Sequence, residues 1–143
     1  MKVNQQAPVC QTGEILIQAS PARVWSVLTD INHWPRWHTA ISRANTEASP
    51  APGVTFDWTV NGARIHSVLH TVTPYEAFGW SGTTFGGAAI HNWYLIPQAD
   101  ATLVKVEESL EGWLVRLFKT SMNQSLSRDI QSWLTSLKHT SEA

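Results

Sequence analysis

The stretch from Trp113 to Lys138, WLVRLFKTSMNQSLSRDIQSWLTSLK, decides the fold of this 143-residue chain. Its apolar residues recur in steps of four and three, so they share one face of a helix. About 25 residues at ~1.5 Å rise form a rod of roughly 38 Å, and an apolar stripe on such a rod needs a broad surface to cover it. The stripe comprises Leu114, Phe118, Met122, Leu126, Ile130, Trp133 and Leu137.

The surface that covers this helix is predicted to be a sheet, because most of the upstream chain has the pattern of strands. A first strand is expected over Glu14 to Gln18, and Ser20-Pro21 then provides an N-cap and a proline for a short helix. A second short helix is expected at His33 to Trp37. About six strands joined by short turns follow, and such strands must be antiparallel. The order predicts an α+β domain with its helices on one face of the sheet.

Asn61-Gly62 predicts a two-residue hairpin turn, since a type I′ turn requires positive φ at both positions. Such a turn sets the register of its two strands. We expect Val60 opposite Ala63, Trp58 opposite Ile65, Phe56 opposite Ser67 and Val54 opposite Leu69, all on the inward face.

Composition limits the classes of function that need to be considered. The formal charge is −1 from 10 basic and 11 acidic residues, without a basic run, which argues against nucleic-acid binding. No segment approaches 18 consecutive apolar residues, so no membrane span is expected. Residues 1–12 are predicted to form a flexible leader before a single domain at 13–143. A lone cysteine, Cys10, and the lack of a signal peptide lead us to expect a cytoplasmic location.

Four segments resemble the SRPBCC or START/Bet v 1-like superfamily, most closely its polyketide cyclase/dehydrase-like branch. They are Ile15 to Trp37 (ILIQASPARVWSVLTDINHWPRW), Val72 to Gly82, Ala89 to Leu95 (AIHNWYL) and Thr102 to Gly112. The resemblance implies a helix-grip fold, in which a curved antiparallel sheet wraps around a long C-terminal helix. It also implies an apolar cavity between them for a lipid, polyketide or other aromatic molecule. By this resemblance, His33 to Trp37 and Gly82 to Gly87 would form its mouth.

His91 and Glu108 are the most informative candidate residues. Both fall on the inward phase of neighbouring strands, where a charged group is costly unless it is paired. They are expected to lie opposite each other inside the cavity. The pair would contact a ligand, act as a general base, or serve only as a structural pair, and a shift in register would instead place Glu108 in solvent.

The inward tryptophans are explained either by core packing or by a cavity wall that offers flat apolar faces. His66 and His70 lie four apart on a strand, about 13 Å, which is too far for one metal ion. No metal or cofactor is therefore expected. The predicted ligand-binding residues are Trp37, Phe56, Trp58, Ile65, Trp80, His91, Trp93, Glu108, Phe118 and Met122.

The first functional hypothesis is binding of a small hydrophobic or aromatic molecule. The second is a cyclase or dehydratase that uses His91 and Glu108 for proton transfer. The third is a protein-interaction role like that of the Hsp90-activator-like branch, which requires no cavity. The apolar inward faces favour binding, two or more polar groups converging on one point would favour an enzyme, and a broad exposed apolar patch over a collapsed cavity would favour interaction.

Overall fold

A computed structural model describes residues 1–143, and it confirms the α+β helix-grip architecture. Seven antiparallel strands form one sheet in the order β1-β7-β6-β5-β4-β3-β2, and the longest helix, α4, lies against β1. No helix of the protein has both the length and the apolar character that a membrane crossing requires. In chain order the elements are β1 (Val9–Ile17), α1 (Pro21–Leu28), a 3₁₀ turn (Ile31–His33), α2 (Trp34–Trp37), β2 (Ile41–Asn45), β3 (Thr55–Val60), β4 (Ala63–Thr73), β5 (Ala77–Thr84), β6 (Gly87–Gln98), β7 (Ala101–Glu111), α3 (Trp113–Leu117) and α4 (Lys119–Glu142).

The first strand begins at Val9, so residues 9–12 belong to the sheet and not to the leader that contained them in the prediction. Val9 lies opposite Leu110 of β7 and is fully buried. Residues before the strand also contact the domain, since the backbone N–H of Asn4 donates to Ser109 Oγ at 3.1 Å. The sequence of residues 9–12, VCQT, does not alternate clearly, and it forms a strand because pairing with β7 satisfies its backbone groups whatever the side chains are.

The two short helices after β1 form for the local reasons that the sequence indicates. Ser20 Oγ accepts a hydrogen bond from the backbone N–H of Arg23 at 3.2 Å, and Pro21 occupies the first turn of α1. Trp34 then enters the core and donates its indole N–H to the carbonyl of Leu28 at 2.9 Å. The chain therefore turns between α1 and α2 around a buried tryptophan.

The β3–β4 hairpin has the predicted register. Val60 faces Ala63, Trp58 faces Ile65 and Phe56 faces Ser67, and Leu69 bonds to the carbonyl of Val54. Both turn residues have positive φ, 51° at Asn61 and 82° at Gly62, as a type I′ turn requires.

The terminal helix is interrupted, and this corrects the prediction of a single rod. Phe118 adopts φ −111° and ψ 31° between α3 and α4, and its side chain is 51% exposed. At the start of α3, Gly112 adopts φ 130°, and the backbone N–H of Leu114 donates to the carbonyl of Gly86 at 3.2 Å, a contact that helical periodicity does not contain. That non-local bond holds α3 against the β5–β6 turn, whereas Leu126 and the later apolar residues are buried.

An aromatic cluster occupies the centre of the interior. The ring centroid of Trp34 lies 5.1–5.6 Å from those of Phe56, Trp58, Trp80 and Trp133. Most of these contacts are edge-to-face, an arrangement that the ring quadrupoles favour. Because each large buried side chain contributes roughly 1.5–3 kcal/mol, the cluster is a major source of stability. It also fills much of the space between the sheet and α4.

Candidate functional site

A cavity of about 190 Å³ remains beside the aromatic cluster, between the inner face of β3–β7 and the α3–α4 segment. Its walls are mostly apolar, and several side chains from α4 close one side. Eighteen residues line it: Trp58, Val60, Ile65, Trp80, Gly82, Thr83, Thr84, Gly87, Ala88, Ala89, His91, Glu108, Leu110, Val115, Met122, Leu126, Asp129 and Trp133.

The predicted ligand-binding residues divide into two groups. Six of them line the cavity: Trp58, Ile65, Trp80, His91, Glu108 and Met122. Trp37, Phe56 and Trp93 lie outside the lining, Trp37 beside His38 and Trp133 and the other two buried in the core. Phe118 is half exposed at the break between α3 and α4. Of the six that line the cavity, five lie on strands β3 to β7 and one, Met122, lies on α4.

Only one of the two predicted mouth segments reaches this cavity. Gly82, Thr83, Thr84 and Gly87 line it, but no residue of His33 to Trp37 does. Trp34 accounts for the difference, because its ring stands at the centre of the interior and separates α2 from the open space.

His91 and Glu108 are brought together by the pairing of β6 with β7. They are directly opposite in the register, and His91 Nδ1 lies 3.0 Å from Glu108 Oε1. With Glu108 ionised, its oxygens can only accept, so His91 donates its Nδ1–H, and in the neutral imidazole Nε2 is left as an acceptor. Nε2 has no hydrogen-bond partner in the protein, although His91 is only 1% exposed.

Two tryptophans hold the imidazole of His91 in place. The ring of Trp80 lies 4.3 Å away, centroid to centroid, and that of Trp93 lies 5.5 Å away and nearly parallel. With Glu108 bonded at Nδ1, these contacts restrict both the position of the ring and its tautomer. The arrangement presents a single oriented nitrogen base within an apolar environment.

Asp129 is a third ionisable residue of the cavity, and the sequence analysis did not identify it. Burial, and secondly the charge of Glu108, raise the pKa of the Asp129 carboxyl. A signal was present in the sequence: Asp129 lies three residues after Leu126 and four before Trp133, so it occupies the apolar face of the helix. A carboxylate on an apolar helix face indicates a candidate site residue for the same reason as Glu108 on the inward face of its strand, since a buried charge is costly unless it is paired.

The remaining histidines do not contribute to this cavity. His66 Nδ1 lies 2.8 Å from Asp57 Oδ1 on the exposed side of the sheet, and His70 Nδ1 contacts Thr71 Oγ1. His33 bonds to Asp30 at the surface, and His38 is buried against Trp133. No three histidine, cysteine, aspartate or glutamate side chains come together as metal ligands would. A second depression, of about 810 Å³, lies around β2–β4 and is open and mostly polar.

Comparison with protein families identifies one match over almost the whole chain. The family described as polyketide cyclase/dehydrase and lipid transport matches residues 9–142. A comparison with curated proteins gives no match.

Three solved structures illustrate the breadth of the fold. The hypothetical protein jhp0584 from Helicobacter pylori has a TM-score of 0.88 at 14% identity, over 97% of this chain and 91% of its own. The ZhuI aromatase/cyclase from Streptomyces sp. R1128 has a TM-score of 0.80 at 12% identity, over 93% of each chain. A START superfamily protein from Mycobacterium smegmatis has a TM-score of 0.73 at 14% identity, over 91% of this chain and 97% of its own. At these identities the likeness concerns the fold alone.

Proposed function

The chain belongs to the polyketide cyclase/dehydrase and lipid transport family, and we propose that it binds one small apolar or aromatic molecule in the cavity beside its tryptophan cluster. The observation that carries this proposal is the cavity itself, a space of about 190 Å³ with mostly apolar walls and a few buried polar groups. Binding sites for small molecules have this composition.

The volume limits the size of the ligand. A cavity of about 150 Å³ accepts benzene, whereas clefts for drug-sized molecules measure about 300–1,000 Å³. The cavity here therefore suits a single ring or a short chain. A whole polyketide or an extended lipid requires more space than the tryptophan cluster leaves, so we narrow the predicted ligand to a ring-sized molecule.

Tryptophan fluorescence tests this proposal directly, because Trp58, Trp80 and Trp133 line the cavity. Titration with 2-phenylethanol, a neutral ring-sized probe, is expected to change the emission in a saturable way. Leu126→Phe places a larger side chain in the cavity and should abolish that change. Leu117→Phe makes the same substitution at an exposed position and is the matched control.

Thermal unfolding of each variant shows whether Leu126→Phe remains folded, and Met122→Phe provides a second way to fill the same space. The proposal would be contradicted if the emission of the wild-type protein did not change in a saturable way on titration with 2-phenylethanol. Equal binding of this probe by Leu126→Phe and Leu117→Phe would also contradict it.

Proton-transfer catalysis is a second candidate, favoured by the convergence of His91, Glu108 and Asp129 on one cavity. In this alternative, His91 Nε2 acts as the base and Glu108 orients the ring. Exchange of a weakly acidic C–H of a bound ketone in D₂O, monitored by NMR, tests it. Loss of exchange in His91→Gln with retained ligand binding is expected of a catalytic role.

An interaction role, the third hypothesis, receives partial support from a surface patch. Phe85, Trp113, Leu117 and Phe118 are each more than half exposed, and the rings of Phe85 and Trp113 pack edge-to-face at 5.6 Å. The cavity next to them is not filled by side chains, however, and a collapsed cavity is what would favour the interaction role. Binding in the cavity is therefore the function that the geometry supports best.

A further inference from the structure

The charge of the cavity restricts the chemistry of its ligand. Glu108 and Asp129 contribute two carboxylates to the lining, and no lysine or arginine side chain accompanies them. Arg128, the neighbour of Asp129 on α4, is not part of the lining; it contacts Ser125 Oγ at 3.4 Å on the exposed face, and its charge partly offsets that of Asp129 from outside the cavity. A ligand carrying a carboxylate or phosphate would meet these carboxylates without a cation in the lining to bind it, and it would lose its hydration on entry.

A buried acceptor in the same wall provides independent support. His91 Nε2 has no hydrogen-bond partner, and its side chain is 1% exposed. An unpaired polar atom in such a position costs free energy unless a ligand supplies the missing donor. His91, Glu108 and Asp129 all belong to the lining, so this wall contains three acceptor groups, and an alkylammonium group carries three N–H donors.

The aromatic walls favour the same ligand charge. Trp58, Trp80 and Trp133 line the cavity, and the faces of indole rings attract cations, more strongly where water is excluded. A lining that combines tryptophan rings and carboxylates and contains no lysine or arginine side chain is therefore suited to an organic cation. Neither a neutral hydrocarbon nor an anion would use both features.

We propose that the ligand of this cavity is a small protonated amine with an apolar or aromatic body. Its ammonium group lies among Glu108, Asp129 and His91, and its body lies against the tryptophans. This inference rests on the proposed function, since it assigns a ligand class to the same cavity. No covalent step is involved.

Three probes of similar shape and different charge test the inference: 2-phenylethylamine, 2-phenylethanol and phenylacetate, which are cationic, neutral and anionic at pH 7. Isothermal titration calorimetry of the full chain should show the amine binding about tenfold tighter than the alcohol, as a charge-assisted hydrogen bond predicts. Phenylacetate should bind more weakly than the alcohol.

Matched variants locate the charge preference. Asp129→Asn removes one cavity carboxylate and should reduce the preference for the amine over the alcohol several-fold, while Asp100→Asn, on the exposed β6–β7 turn, should leave it unchanged. Glu108→Gln and Glu107→Gln form a second such pair on β7, since Glu107 bonds instead to the phenol of Tyr94.

The outcomes separate this inference from the proposed function. If the alcohol or phenylacetate binds as tightly as the amine, the cation inference is overturned while the binding function stands. The cation inference is also overturned, and the binding function stands, if Asp129→Asn and Asp100→Asn change the preference for the amine over the alcohol to the same extent. If none of the three probes binds, both proposals fail.

Discussion

The burial of His38 leads to a quantitative prediction about the pH dependence of stability. His38 is 2% exposed, its ring lies 4.5 Å from that of Trp133, and neither ring nitrogen bonds to another residue. Loss of hydration disfavours the charged imidazolium more than a contact with its own backbone favours it. As a result, the pKa of His38 falls from 6.5 to about 4.

The sign of the effect follows from which state binds the proton. Above pH 6.5 the imidazole is neutral in both states, and its full contribution to stability is present. Between pH 6.5 and about 4 the unfolded chain takes up a proton that the folded protein excludes, so the free energy of unfolding falls as the pH falls. The slope is about 1.4 kcal/mol per pH unit, and the whole interval corresponds to about 3 kcal/mol.

Urea denaturation at a series of pH values from 7 to 4.5 measures this loss. Asp129 has a raised pKa and shifts stability in the opposite direction, so the relevant quantity is the difference between the wild type and His38→Phe. Phenylalanine keeps an aromatic ring against Trp133 and cannot titrate. We expect that difference to change by about 2–3 kcal/mol over this range.

His139→Phe is the matched control, because His139 is exposed near the end of α4. It should leave the pH dependence of the wild type nearly unchanged. Parallel pH profiles for the wild type and His38→Phe would refute the reasoning, since they would mean that His38 titrates alike in both states.

Three further predictions follow from the packing. Ile130→Ala should cost about 2–4 kcal/mol of unfolding free energy because Ile130 is 1% exposed, whereas Phe118→Ala should cost less than about 0.5 kcal/mol because Phe118 is half exposed. Equal losses in urea denaturation would contradict the exposed position of Phe118 at the helix break. Gly112→Ala should destabilise the protein by about 1–3 kcal/mol, and by more than Gly53→Ala. Both glycines have positive φ, but only at Gly112 would an added Cβ meet the backbone of Gly86, so a higher melting temperature for Gly112→Ala than for Gly53→Ala would contradict this reasoning. ¹⁵N NMR of neutral His91 should show the Nδ1–H tautomer, and the Nε2–H tautomer would contradict the assigned donation from Nδ1 to Glu108.

Local pattern was sufficient for much of the sheet. Asn61-Gly62 specified its turn through backbone conformation, and a two-residue loop then determined which residues of β3 and β4 face each other. The opposition of His91 and Glu108 followed in the same way from the alternation of β6 and β7. In both cases the determining interaction lies between neighbouring strands close in sequence.

Contacts between distant segments decided the features that were missed. The position of α3, which precedes the break at Phe118, depends on Gly112 and on the hydrogen bond from Leu114 to Gly86, which helical periodicity does not contain. The strand over residues 9–12 depends on β7, a hundred residues away. Asp129 was visible on the apolar stripe, but only packing of α4 across the sheet places it near Glu108.

The sequence by itself determined the family, the order of elements and the inward faces of the strands, because periodicity and turn chemistry act over a few residues. Tertiary structure alone decided how much room is left inside. Trp34 comes from a short helix whose sequence does not reveal where its ring will go, and that ring packs among Phe56, Trp58, Trp80 and Trp133. Close packing around it leaves a ring-sized cavity bordered by two carboxylates, whereas the family resemblance implied a cavity for a lipid, a polyketide or another aromatic molecule.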